Sequence, residues 1–262
     1  MVIDCHAHIY PEKIAAKAVV SIENFYTIPM QGRGTVSDLL ERGKRGGIDQ
    51  FIVFSAAAVP SQVASINNYI ASVCAGHPEF IGFGTLHADI ENPAEEIERL
   101  ISLGLKGIKL HPDMQKFNID CDKMMDIYAM LEGRLPIVFH TGDYRYPYSH
   151  PARLARVIDA FPRLITVAAH FGGWSVYDLA LEYFQNRFCY MDVSSAIPFL
   201  GYRRAEELIG IYGAERFLFG SDYPMWDPEA ELQQFHKLKL QDKDKELILY
   251  HNAQRLLGFT NY

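Results

Sequence analysis

The chain has 262 residues, with 25 Lys and Arg against 32 Asp and Glu, a formal charge of −7. Hydrophobic residues make up 49% and charged residues 22%, ample apolar material for a core, which excludes disorder as the dominant state. The acidic balance argues against nucleic acid or an anionic membrane surface as the partner. Cys5, Cys74, Cys121 and Cys189 form no CxxC pair, so neither a disulfide framework nor a zinc ribbon is expected. No apolar run reaches the ~20 residues of a membrane span. The start, Met1-Val2-Ile3-Asp4, lacks the basic and apolar regions of a signal peptide, and the expectation is a cytoplasmic protein.

Residues 2–9 are a mostly apolar run and predict the first strand. The 10–34 stretch after it is expected to be a long irregular loop, of the kind that caps or serves a site, and its Asn24-Phe25-Tyr26 could supply substrate contacts. Thr35-Val36-Ser37-Asp38 opens a helix carrying Leu39 and Leu40, and residues 50–55 give a second strand. Residues 61–75 place Val63, Ile66, Ile70 and Val73 on one helical stripe that stops at Gly76, with Pro78 beyond. A third strand is read at 80–86. Asn92-Pro93-Ala94-Glu95 reads as an N-cap, a proline at N1 and a capping-box glutamate, opening a helix that ends at Gly104. Further strands are read at 106–110, 136–140, 164–170, 188–193 and 216–222, with helical patterns at 150–161, 203–212 and 242–257.

Eight strand-then-helix units of roughly 30 residues, with strands apolar on both faces, predict a parallel sheet covered by helices. The expected fold class is α/β: a (β/α)8 TIM barrel of parallel strands with outer helices, in one domain over 1–262. A doubly wound open sheet is the alternative.

In Asp4-Cys5-His6-Ala7-His8 the two imidazoles stand two residues apart on a strand and so share a face. Such a pair binds a divalent ion such as Zn²⁺ or sits as two satisfied core histidines. The same period turns Cys5 away, towards the helix layer. Of the ten histidines, His6, His8, His87, His111, His140 and His170 stand at the C-terminal ends of predicted strands, as does Asp222. In a parallel barrel these ends form the face where active sites are built, and the joint placement points to a metal centre. Lys109 and His111 share one face of the fourth strand. A lysine aimed into a barrel is costly unless paired or neutralised. Arg145 lies in Tyr144-Arg145-Tyr146-Pro147-Tyr148, where its fork could grip an anionic substrate. Tyr223 adjoins Asp222 and could wall the site. Trp174 and Trp226 are placed either to line the mouth or to pack the core.

His6-Ala7-His8 on the first strand, His140 on the fifth, His170 on the sixth and Asp222 on the eighth together resemble the amidohydrolase superfamily. The amidohydrolase-related branch is the nearer match, and the tail Asn252-Ala253-Gln254-Arg255-Leu256-Leu257-Gly258 is similar to it as well. That branch holds metal-dependent hydrolases, lactonases and non-oxidative decarboxylases. The resemblance implies that His6, His8, His140 and Asp222 bind a metal and that Asp222 takes a proton from metal-activated water. It implies that His170 either holds a second ion or orients the water and polarises the substrate. Lys109, in a Gly-x-Lys-x-His segment, is similar to carboxylated lysines that bridge two metals. It is otherwise unmodified, paired with an acid or touching a substrate carboxylate. His111, Arg145 and Tyr223 are the expected substrate contacts. The expected cofactor is one divalent ion, Zn²⁺ with Mn²⁺ as the alternative, and a second ion through Lys109 and His170 is the less favoured arrangement. The expected activity is hydrolysis of a small-molecule lactone, ester or amide. The alternative is non-oxidative decarboxylation of an aromatic or unsaturated carboxylic acid. A homodimer is expected only because dimers are common.

Overall fold

The computed structural model describes residues 1–258. It contains nine short strands: β1 (Ile3–His8), β2 (Gln50–Phe54), β3 (Phe80–Gly82), β4 (Gly84–Thr85), β5 (Ile108–Leu110), β6 (Ile137–Phe139), β7 (Thr166–Ala168), β8 (Tyr190–Asp192) and β9 (Phe217–Leu218). Neighbouring strands pair in parallel, β1 to β3 in one set and β4 to β9 in the other. β3 and β4 are the halves of one expected strand, divided at Phe83. The Phe83 N–H donates to Val53 O on β2 at 3.0 Å, and the Gly84 N–H to Gly107 O beside β5 at 2.9 Å, so this strand joins the two sets. At the other edge Cys5 N–H donates to Phe219 O (2.8 Å) and His8 N–H to Tyr223 O (2.7 Å). The expected eight strands are therefore present, alternating with helices, as an α/β protein of the TIM-barrel type.

Side chains divide between two apolar layers. Phe51, Val53, Ile108, Ile137, Phe139 and Phe217 pack outwards against helix residues such as Leu39, Ile70, Leu100 and Ile127. Ile3, Cys5, Ile52, Phe54, Ile81, Phe83, Val138, Val167 and Leu218 form a second cluster inside the strand ring, which Ala253 and Leu256 of the C-terminal helix join. Cys5 thus does not face the helix layer, as alternation predicts. The pairing of β1 with β2 slips between Asp4 and Ala7, and one extra residue there resets the period. Cys5 and His6 then both face inwards, while Asp4 sits behind the strand and accepts the N–H groups of His6 and Ser221, each at 3.0 Å.

Two other expectations change. The 10–34 stretch is not irregular: Glu12–Tyr26 is a helix after Pro11. Only Ala15 of its residues is fully buried, while Ile14 and Val20 are exposed, so it carries no core stripe for periodicity to find. The helix Pro93–Ser102 starts where expected, but the Asn92 side chain makes no capping bond. Its backbone (ψ 71°) is not in the extended region that N-cap residues usually adopt. Thr35 does cap the helix Val36–Gly46, accepting from Asp38 N–H. Residues 242–257 run as Asp242–Glu246, a π-helical turn at Leu247–His251, and Asn252–Leu256. Among the described residues no helix is long and apolar enough to cross a membrane.

Candidate metal centre

The C-terminal ends of the strands carry the polar groups. His6 and His8 project from β1, and Asp222 follows β9. Asp222 Oδ1 lies 3.4 Å from His6 Nε2 and 3.6 Å from His8 Nε2, and these three ligand atoms lie within 4.8 Å of one another. Asp222 has φ 59°, in the left-handed region, and is held there by its N–H bond to His6 O at 2.8 Å. Its Oδ2 accepts the Ser195 hydroxyl (2.5 Å), and Ser195 Oγ in turn accepts the Trp226 indole N–H (2.8 Å). Gly220 allows the two segments to meet, since a Cβ there would stand 2.8 Å from His6 Cβ.

His6 is oriented from behind by Asp192, at the end of β8. His6 Nδ1–H donates to Asp192 Oδ2 at 2.8 Å, which leaves the Nε2 lone pair facing the site. Asp192 also takes the His170 N–H and the Ser194 hydroxyl through Oδ1, at 3.0 and 2.6 Å. His170 is itself at φ 59°. Its Nδ1 faces Ser194 O at 3.1 Å, so Nδ1 carries the proton and Nε2 holds a lone pair. His170 Nε2 stands 3.2 Å from His140 Nδ1. The loops bearing these two imidazoles approach closely: a Cβ on Gly142 would stand 2.4 Å from Gly173 Cα.

Lys109 is fully buried on β5 and donates from Nζ to His6 Nε2 at 3.1 Å, with Phe54 beneath it. No ion pair of Lys109 within 4.0 Å occurs among the described residues, so the expected partner acid is not in contact. Burial pushes its ammonium down to about 8, against the pull of Asp192 and Asp222. Burial likewise holds His8, His111 and His140 well below the usual imidazole value, and brings His170 to about 4 despite Asp222 and Asp192. Neutral imidazoles at pH 7 are the form that ligates a cation. For Asp192, burial is outweighed by the hydrogen bonds it accepts from His6 and Ser194, and the carboxyl sits below its usual range. Burial raises Asp113 to about 7, and the nearby charge of Asp143 adds to the rise.

His6, His8, Lys109, His111, His140, His170 and Asp222 line one narrow cavity of about 50 Å³, with Tyr10, Ile22, Tyr26, Met114 and Met225 as further walls. The helix Glu12–Tyr26 forms part of that wall. Tyr26 OH meets His111 Nε2 at 2.6 Å, and the rings of His111 and His140 stack with centroids 4.0 Å apart.

His6, His8, Lys109, His111, His140, His170 and Asp222 therefore meet as the sequence predicts, although His140 faces His170 rather than completing the tight group of His6, His8 and Asp222. Two expected substrate contacts do not face the cavity. Arg145 is bound by its fork to both oxygens of Asp143 (2.9 and 2.6 Å) and donates to Phe25 O at 2.7 Å, so it ties down the helix Glu12–Tyr26. Tyr223 is wholly buried and donates to Asp38 at 2.8 Å. His87 Nδ1 accepts the Asp89 N–H, and His87 is likewise not on the cavity wall. The expectation that Asn24-Phe25-Tyr26 could supply substrate contacts is met by Tyr26 alone, which lies on the cavity wall, whereas sequence reasoning missed Asp192, Ser194, Ser195 and Asp113. Asp192 alone left a signal, an acid ending an otherwise apolar strand.

The sequence model of a family described as "Amidohydrolase" matches residues 3–259. A search of curated proteins finds no match. Among solved structures, an uncharacterised TIM-barrel protein of Bordetella bronchiseptica is 21% identical at a TM-score of 0.79, covering 98% of each chain. A dihydroxybenzoic acid decarboxylase of Polaromonas sp. JS666, with bound manganese and 2-nitroresorcinol, is 17% identical at 0.75, covering 100% of this chain and 98% of that one. A probable 2-pyrone-4,6-dicarboxylic acid hydrolase of Acinetobacter baumannii, with citric acid bound, is 18% identical at 0.72, covering 98% and 99%.

Proposed function

Because the chain belongs to the amidohydrolase family, we propose that it is a metal-dependent hydrolase acting on a small lactone, ester or amide. One observation carries this reading. Asp222 aims Oδ1 at the Nε2 atoms of His6 and His8 while Ser195 holds Oδ2, a proton-accepting carboxylate fixed beside two inward lone pairs. The donor set fits one divalent ion of the zinc or manganese kind: neutral imidazoles, one carboxylate, and a buried carboxylate behind His6. His6, His8 and Asp222 would hold it, with His140 as the further imidazole. Bound there, it would supply Lewis acidity to water and to the substrate oxygen. Asp222 then accepts the proton released on attack and returns it to the leaving group. His170, with its Nε2 lone pair on the cavity, orients the reacting groups. His111 Nδ1 accepts the Met114 N–H, so its Nε2–H donates to Tyr26 OH and leaves the phenol proton for a substrate oxygen. Lys109, unmodified in the one-ion arrangement, is the cation nearest the floor and suits an oxyanion or a carboxylate.

The walls favour a second reading. Ile22, Met114, Met225 and the aromatic rings make an apolar slot over the polar floor, which suits a flat ring, and the Polaromonas relative holds 2-nitroresorcinol. Decarboxylation of an aromatic or unsaturated acid would use the same groups with proton delivery to carbon. A panel of lactones and esters, run beside a panel of ring-bearing acids in D₂O, separates the two. Ring opening without CO₂ supports hydrolysis. CO₂ release with deuterium at carbon overturns it in favour of the second reading.

A further inference from the structure

Two polar atoms of the site have no hydrogen-bond partner, and they face each other. His140 Nε2 and Asp113 Oδ2 are both buried and unpartnered, 3.7 Å apart. Asp113 is 2% exposed and lies just beyond β5, behind the imidazole as seen from His170. Its other oxygen, Oδ1, accepts the Ser149 N–H at 3.2 Å. A buried imidazole nitrogen and a buried carboxylate oxygen each cost free energy if left unmade, so this pair is arranged to close.

The proton inventory says which way. His170 Nδ1–H is committed to Ser194 O, so His170 Nε2 presents a lone pair towards His140 Nδ1. If His140 is also to offer a lone pair at Nδ1, its proton must sit on Nε2, opposite Asp113. His111 does not compete for that role, since its Nδ1 accepts the Met114 N–H and its Nε2 meets Tyr26 OH. Asp113 is thus the group that faces His140 Nε2, while His111 only stacks on the imidazole.

We propose that Asp113 is a positioning residue for the metal centre: it accepts His140 Nε2–H and so fixes the tautomer whose Nδ1 lone pair points at the ion. This rests on the ion-binding reading above. It gives His140 the kind of carboxylate support that Asp192 gives His6, from the opposite side of the cavity.

Asp113→Asn tests it with little change in shape. The Ser149 N–H needs an acceptor, so the amide oxygen takes that place and the amide NH₂ turns to His140. There it donates to Nε2 and forces the proton onto Nδ1, the wrong tautomer for ligation. The measurement is the Kd for Mn²⁺ alone and the visible spectrum of the Co²⁺-loaded protein, beside the melting temperature of the metal-free protein. Asp113→Asn should weaken Mn²⁺ binding roughly 10- to 100-fold and alter the Co²⁺ spectrum, with metal-free melting little changed. Wild-type affinity and spectrum in the variant would overturn the role of Asp113. Failure of the wild type to bind any divalent ion would overturn the metal reading itself. Should the variant not fold, ¹⁵N imidazole spectra of the zinc-loaded wild type decide: a proton on His140 Nε2 supports the proposal, and one on Nδ1 refutes it.

Discussion

The inside of the strand ring has two storeys built by the same strands. β1 gives Ile3 and Cys5 below and His6 and His8 above; the β6 strand gives Val138 below and His140 above. The β7 segment gives Val167 and then His170, and the β9 segment gives Leu218 and then Asp222. The lower storey is apolar, closed by Ala253 and Leu256, and stabilises by burial. The upper storey buries a lysine, four or more imidazoles and carboxylates, each of which costs desolvation. One barrel thus carries a part that holds the fold and a part that the fold must support.

The upper storey depends most on Asp222. Asp222→Asn should lower turnover about 10³-fold, the scale of losing a positioned proton acceptor, while the melting temperature stays within a few degrees of wild type. Retained turnover on a substrate of the wild type would remove the role given to Asp222. Phe54 sits on the boundary, in the lower cluster yet against the rings of His6 and His8 at 5.1 and 4.8 Å. Phe54→Ala should cost about 3–5 kcal/mol in denaturant unfolding and weaken metal binding as well, because the imidazoles lose their backing. A loss of stability with unchanged metal affinity would show that the storeys are independent.

A smaller, pH-dependent effect is expected outside the ring. Glu231 is buried on the helix Pro228–His236, and burial, then Asp222 and Asp4, raise its carboxyl to about 8. The folded state therefore binds this proton more tightly than the unfolded chain does. Its contribution is complete below about 4.5 and is lost as pH rises towards about 8. Glu231→Gln lacks that loss, so melting curves should show its advantage over wild type growing from pH 5 to pH 8. A gap that stays constant with pH would contradict the burial of an ionisable Glu231.

The strand ends were legible in the sequence because apolar runs ending in His or Asp report both the strand and its direction. His6, His8, His140, His170 and Asp222 were found this way, and the one-residue slip at Asp4 to Ala7 left His6 and His8 inside while reversing Cys5. The supporting groups were not legible. Asp113 lies on the short helix Pro112–Gln115 and Ser195 in the turn after β8, and Tyr26 reaches the site from a helix with only Ala15 fully buried, which carries no periodic signal. Arg145 shows the converse error: its charge pointed to a substrate, but Asp143, two residues before it, takes the fork.

The proposed activity requires one divalent ion in the upper storey, and metal content per chain is the measurement to make. The measurement is elemental analysis of protein purified without chelator, then repleted with zinc or manganese. About one equivalent is expected, falling towards zero in a His6→Ala, His8→Ala double variant that still melts cooperatively. No bound metal after repletion, or an unchanged equivalent in that variant, would contradict it.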